Sequence, residues 1–247
     1  KDHVSNTIYA GFKVENSKNN SLKDSSVIIW TTTPWTIPAN RALAYNKDLE
    51  YSLVKVEDTS SDFKNQNIIV ASKLLETTVK ENGLEKYKII DTFKGSDFEE
   101  TICSHPLKKL GYNYKVPMFE APFVTLEQGT GIVHAAPSHG PDDFNLCLKH
   151  GIKAIDTIDD SGRYTNNIPS FEGIHIFKAD QLIIDKLKEE QKLLGNGKLT
   201  HSYPHSWRSK APLVHRATQQ WFISMESHEL RKKALKAIDE TDFYPKK

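Results

Sequence analysis

The chain has 247 residues, of which 38% are hydrophobic and 26% charged, with a formal net charge of +1. That length suits one large β domain or a domain with an appendage. No apolar run approaches the roughly 20 residues of a membrane-spanning helix, and the N-terminus lacks the charged-then-apolar pattern of a secretory signal. Cys103 and Cys147 are the two cysteines and have no CxxC spacing, so free thiols in a reducing, cytoplasmic compartment are expected.

In chain order, β-branched or alternating runs predict short strands at 7–14, 26–30, 51–56, 67–71, 87–93, 119–125 and 129–135. Segments 16–23 and 57–66, rich in Ser, Asn, Lys and Asp, read as flexible. Helices are expected at 72–81, 142–149 and 226–238. The clearest helical period covers 179–194, where Leu182, Ile183, Leu187 and Leu194 share a face and Gly195-Asn196-Gly197 supplies a stop. Many strands between turn residues favour a barrel or sandwich. The near-neutral charge conceals an asymmetry: between Lys198 and Lys247, ten Lys or Arg face five acids. The preceding body is therefore net acidic and is not a basic phosphate-binding surface.

Two compact polar segments stand where buried strands give way to loops, a usual place for rigidly supported sites. Thr31-Thr32-Thr33-Pro34-Trp35-Thr36 follows Val27-Ile28-Ile29-Trp30. Gly129-Thr130-Gly131-Ile132-Val133-His134, with Asp142 and Asp143 beyond it, follows Ala121-Pro122-Phe123-Val124. Each also has a plain structural reading. The threonines are β-formers entering a turn, and their alternation puts Thr31 and Thr33 together, or Thr32 alone, on one side unless the strand breaks. His134 is a satisfied core histidine, Trp35 a packing residue, and Asp142 and Asp143 first-turn acids favoured by a helix dipole. No Ser-His-Asp or Cys-His pairing is evident. His134, His139, Asp142 and Asp143 match neither the HExxH nor the Cys/His zinc spacing, so no metal site is expected.

The segment from Trp30 to Asn40, paired with that from Gly129 to Phe144, resembles the editing domain of the isoleucyl-tRNA synthetases. Sister valyl and leucyl enzymes carry Arg where this chain has Thr33, and usually Lys or Met where it has His134. A third block, His201-Ser202-Tyr203-Pro204-His205-Ser206-Trp207-Arg208 through Gln219-Gln220-Trp221-Phe222-Ile223-Ser224-Met225, resembles the return segment toward that family's aminoacylation core. The HIGH-type and KMSKS-type ATP motifs of class I synthetases are missing from the sequence, so the chain reads as an excised editing domain that does not activate isoleucine.

The resemblance implies a mainly β fold with peripheral helices, arranged as a closed or nearly closed β-barrel. It places an editing domain at 1–200 and a return segment at 201–247. The implied activity is hydrolysis of the ester of mischarged Val-tRNA(Ile) by a bound water. Thr32, Thr33, His134 and Asp143 would carry the chemistry, and Thr31, Trp35, Asn40, Gly129, Gly131 and Asp143 would hold substrate. Asp143 would receive the α-ammonium, and Trp35 would offer its face to the terminal adenine. His134 would exclude the larger isoleucine side chain, because one methylene is worth only about 1–3 kcal/mol in a synthetic pocket. No cofactor is implied in this segment, while ATP and Mg belong to the parent enzyme. Expected partners are the 3′ end of mischarged tRNA(Ile) and the remainder of the synthetase; the fragment itself would be a cytoplasmic monomer. The alternatives are a tRNA acceptor-end binding module without hydrolytic activity, and a metallohydrolase using His134, His139 and Asp143.

Overall fold

Strand β1 (Asp2–Asn16) is apolar on both faces over its middle, with Ile8, Ala10, Phe12 and Val14 in one core and Tyr9 in a second. A strand buried on both faces belongs in the interior of a sheet, and β1 is paired along both edges. In the computed structural model, which describes residues 1–244, β2 (Ser26–Thr31) runs antiparallel to residues 8–13 of β1. Along the other edge, β10 (Leu193–Ser202) pairs with residues 2–10, and β7 (Ile102–Ser104) pairs with Val14 and Asn16.

The remaining strands extend the sheet in both directions. β5 (Asn67–Ala71) lies parallel to β2, and β4 (Glu50–Thr59) is antiparallel to both β5 and β6 (Leu84–Lys94). On the other side β8 (Lys115–Glu120) pairs with β7, and β3 (Ala42–Tyr45) joins β8 to β9 (Ile132–Ala135). The path is β6-β4-β5-β2-β1-β7-β8-β3-β9, with β10 on β1 beside it.

The expected mainly β fold with peripheral helices is present, but the ladder is not closed. Among the described residues no pairing joins β6 to β9. β9 has only four residues; it packs against β2, and the Ala71 N–H donates to the Thr130 carbonyl at 2.8 Å. Curvature thus returns β9 to the middle of the sheet without a closing row of bonds. β6 is left as an edge strand, its Tyr87, Ile89 and Ile90 exposed between charged neighbours.

Helices α1 (Leu75–Glu81), α2 (Pro141–Lys149) and α3 (Ala179–Glu189) decorate this unit. No helix of the described residues is long and apolar enough to cross a membrane. The chain divides into two compact units, Lys1–Ala217 and Thr218–Lys247. Residues 203–217 remain with the first through bonds such as Ala217 N–H to the Ser138 carbonyl at 2.9 Å. The second unit contains α4 (Leu230–Asp239), whose Leu235 and Ile238 are exposed. Residues 245–247 of the expected return segment lie outside the described residues.

Several elements differ from expectation for identifiable reasons. The helix expected over 179–194 ends at Glu189; Gln191 has φ of 57°, and Leu193 and Leu194 enter β10. Gly195-Asn196-Gly197 lies inside that strand rather than stopping a helix. Gly195 permits a close approach, since a Cβ there would lie 2.1 Å from Asn82 Oδ1. The strand expected at 119–125 is shifted to Lys115–Glu120, and Val124 N–H bonds back to the Ala121 carbonyl in a turn around Pro122. Segments 16–23 and 57–66 are each anchored by a fully buried side chain, Leu22 and Phe63.

Candidate functional site

β2 ends at Thr31, and the chain turns through Thr32 and Thr33 into a 3-10 helix, Pro34–Ala39. Pro34 fits the first helical position because its missing N–H would have had no partner there. The Thr36 hydroxyl donates to the Thr33 carbonyl at 2.8 Å. The break in the strand brings the hydroxyls of Thr31 and Thr33 within 3.2 Å, and the Thr33 N–H donates to Thr31 Oγ1 at 3.1 Å. Thr33 Oγ1 is in turn 3.2 Å from Thr36 Oγ1.

This chain of hydroxyls ends on a buried imidazole. His134, in β9 and paired with Leu43, places Nε2 3.0 Å from Thr36 Oγ1 and Nδ1 3.4 Å from Asn40 Nδ2. Asn40 Nδ2 also donates to the Ala42 carbonyl at 2.9 Å, which fixes the amide orientation. Nδ1 of His134 is therefore the bare acceptor, and Nε2–H donates to Thr36. Burial lowers the pKa of His134 to about 4, with a smaller contribution from His139. At neutral pH the imidazole is an uncharged donor. Asn40 Oδ1 is fully enclosed and has no partner among the described residues.

On the outward side of the same turn, Thr32, Thr33 and Trp35 line a cleft of about 260 Å³ together with Phe177, Asp180 and Tyr203. The Trp35 N–H donates to Asp180 Oδ1 at 3.1 Å, and Asn6 Nδ2 donates to Asp180 Oδ2 at 3.2 Å. The Trp35 ring meets the edge of His139 at 4.8 Å. Both nitrogens of His139 are occupied, Nδ1 by the His215 carbonyl at 3.0 Å and Nε2 by the Thr157 hydroxyl at 2.8 Å. Burial lowers its pKa to about 4.

Asp143 sits in the first turn of α2, after Gly140 and Pro141. Its Oδ2 accepts the Ala136 N–H at 2.9 Å, tying the helix to the end of β9. Burial raises its pKa to about 6 against the opposing effect of that bond, while Asp142 adds a like charge. Asp142 itself is exposed.

Gly129 and Gly131 form the turn before β9 with φ of 80° and 73°. A Cβ on Gly131 would lie 2.4 Å from that of Ala71, and the Gly131 carbonyl accepts the Tyr51 hydroxyl at 2.9 Å. Gly129 lies against Trp30. The contacts of this turn are thus with the scaffold. Among the described residues, no group of three or more His, Cys, Asp or Glu could hold a metal ion.

Thr31, Thr33, His134 and Asn40 are thus joined in one hydrogen-bonded chain, Thr32 and Trp35 line the adjoining cleft, and Asp143 is bound to Ala136. Sequence reasoning missed Thr36, the link between the threonines and His134, although it stands within the Thr-rich segment. It also missed Asp180, which carried no signal beyond that of a first-turn acid in α3.

Comparison with known proteins identifies the family. Residues 6–176 match the family model described as leucyl-tRNA synthetase, editing domain. The isoleucine–tRNA ligase of Pelagibacter ubique (strain HTCC1062) is 65% identical over 247 residues, covering 100% of this chain and 27% of the relative. That of Gluconobacter oxydans (strain 621H) is 42% identical over 261 residues, covering 99% of this chain and 27% of the relative. The chain thus spans about a quarter of the length of the curated relatives it matches. The crystal structure of GlLeuRS-CP1 superposes with a TM-score of 0.58 at 15% identity, covering 81% of this chain and 100% of that one, which supports the fold alone. The resemblance read from the two motifs holds, and the chain belongs to the editing-domain family of the leucyl- and isoleucyl-type aminoacyl-tRNA synthetases.

Proposed function

We propose that the chain hydrolyses the ester of mischarged Val-tRNA(Ile), as the post-transfer editing module of a synthetase that joins isoleucine to tRNA(Ile) with ATP and Mg. The observation that carries this reading is the chain from Thr31 through Thr33 and Thr36 to His134 and Asn40, set beside a cleft lined by Thr32, Thr33 and Trp35. The cleft would take the 3′ end of the tRNA, with Trp35 against the terminal adenine and the remainder of the synthetase docking the acceptor stem. Residues 201–247 would lead toward the aminoacylation core, and the protein would act in the cytoplasm as a monomer.

Water would attack the aminoacyl carbonyl, the bond to the ribose oxygen would break, and that oxygen would leave with a proton as the hydroxyl. Free valine would be the other product. Both ring nitrogens of His134 are engaged and burial lowers its pKa to about 4, so its part would be to orient Thr36 and to limit the space for the side chain. Asp143 would hold the α-ammonium, a charge-assisted contact. Positioning and fixed dipoles of this kind are worth several kcal/mol of barrier. We read the reaction as independent of a metal, since His134 and His139 each have both ring nitrogens engaged.

The test is incubation of the chain with Val-tRNA(Ile), with and without chelator. Chelator-insensitive release of valine supports the reading. RNA binding without turnover, or turnover that the chelator abolishes, overturns it.

A further inference from the structure

The Pro34–Ala39 helix and Asn40 expose backbone groups that the segment cannot satisfy alone. Six residues is long for a 3-10 helix, whose own bonds are weak, and Pro38 within it has no N–H. Side chains from four other places supply partners. Trp35 N–H donates to Asp180 of α3 at 3.1 Å, and the Trp35 carbonyl accepts the Tyr164 hydroxyl. The Asn40 carbonyl accepts the Tyr114 hydroxyl at 2.6 Å, and the Ile37 carbonyl, which already takes the Asn40 N–H at 3.0 Å, also accepts Nε2–H of His105 at 3.0 Å. The His105 tautomer is set by its neighbour, because Nδ1 accepts the Leu107 N–H at 3.1 Å. These contacts come from 68, 74, 129 and 145 residues away in sequence.

We propose that Asp180, Tyr164, His105 and Tyr114 are positioning residues that hold this turn so that Thr36 and Asn40 keep their places on His134, and Thr33 and Trp35 theirs along the cleft. The proposal rests on the hydrolytic reading above and adds residues outside both motifs. Asp180 is the most exacting member. It joins three parts of the fold, because one carboxylate oxygen holds the turn and the other takes Asn6 of β1. It also lines the cleft beside Thr32, Thr33 and Trp35, so a shift at this carboxylate moves the substrate-facing side chains directly. A displacement of about 1 Å in a reacting constellation lowers rate on the order of a hundredfold.

Three variants separate holding from folding. Asp180→Asn keeps an oxygen acceptor for Trp35, Asp180→Ala removes it, and Tyr164→Phe removes only a hydroxyl. Each is examined by hydrogen exchange at the Trp35 amide, by thermal unfolding, and by kcat and KM for Val-tRNA(Ile) deacylation. In folded Asp180→Ala, Trp35 exchange should quicken and kcat should fall, each by roughly tenfold or more, with KM changed by less than about threefold. Asp180→Asn should restore both to within about threefold of the unsubstituted chain, and Tyr164→Phe should lower kcat while leaving the fold intact. Unchanged Trp35 exchange in Asp180→Ala, or faster exchange with unchanged kcat, would overturn the proposal. Equal loss in the Asn and Ala variants would also overturn it, by assigning the effect to the charge. If the unsubstituted chain does not deacylate, the hydrolytic reading fails, and the Trp35 exchange comparison alone decides whether Asp180 holds the turn.

Discussion

His134 Nε2 and Thr36 Oγ1 lie 3.0 Å apart although 98 residues separate them in the chain. The contact consumes the only N–H of a neutral imidazole and turns the Thr36 hydroxyl toward the Thr33 carbonyl. The ring is thereby fixed on Thr36 and Asn40.

His134→Ala should open space beside Thr36, and the variant should begin to hydrolyse correctly charged Ile-tRNA(Ile). The ratio of kcat/KM for Val- and Ile-tRNA should shift toward isoleucine by about tenfold, or about 1.4 kcal/mol. An unchanged ratio would leave His134 with an orienting role only.

Asp143→Asn keeps an acceptor for the Ala136 N–H and removes the charge, so it isolates the expected ammonium contact from the structural one. Deacylation kcat/KM should fall by about tenfold to a hundredfold, the worth of a charge-assisted bond of about 1.5–3 kcal/mol. Asp142→Ala, at an exposed position, should stay near the unsubstituted rate. Full activity in a folded Asp143→Asn variant would remove Asp143 from the site. With its pKa raised to about 6, Asp143 should also give kcat/KM an acid limb, with activity falling as pH drops below about 6.

Stability should fall on acidification. His134 and His139 are held down to about 4, and His105 to about 3, chiefly by burial, from an ordinary value of 6.5. Between those values the unfolded chain binds protons that the folded one refuses, so their contribution is complete above pH 6.5 and drains away as pH falls toward 4. Asp143 acts in the opposite sense: its raised pKa favours the folded state at low pH, and that contribution is lost as pH rises from 3.8 to about 6. Burial also raises the Asp180 carboxyl, but three histidines outweigh two carboxyls, so the melting temperature should drop from pH 6.5 to 4.5. A flat profile would mean that these imidazoles are not held neutral.

Gly131→Ala should be severely destabilising. The position combines φ of 73° with a Cβ site 2.4 Å from that of Ala71. Left-handed strain and overpacking together should cost about 2–4 kcal/mol, read as a lower denaturation midpoint. Gly151→Ala, which also has positive φ but open space around it, should cost about 1–2 kcal/mol, from the backbone alone.

Much of this site could be read from the residues. Thr31, Thr33 and His134 sit in polar clusters behind apolar strands, and a strand end is where such groups converge; Asn40 is named only through the family resemblance. Thr36 was hidden because its partner is a distant histidine. Asp180 was hidden because a first-turn acid already has a local explanation. In the sheet, Ala42-Leu43-Ala44-Tyr45 has no β-branched residue, and its strand exists through β8 and β9. Leu193 and Leu194 fit the helical period of α3 until pairing with β1 claims them. Closure of the ladder is likewise a property of distant edges, which periodicity does not encode.

The reach of the Trp35–Asp180 bond has a consequence in time. As the chain leaves the ribosome, Trp35 emerges 145 residues before its carboxylate partner. At synthesis rates of about 5–20 residues per second, the turn waits about 7–30 s. During that interval His105, Tyr114 and Tyr164 emerge and reach their carbonyls first, while the Trp35 N–H stays without its carboxylate until α3 arrives. A chain cut at residue 176, where the family match ends, would keep the other three contacts and lack this one.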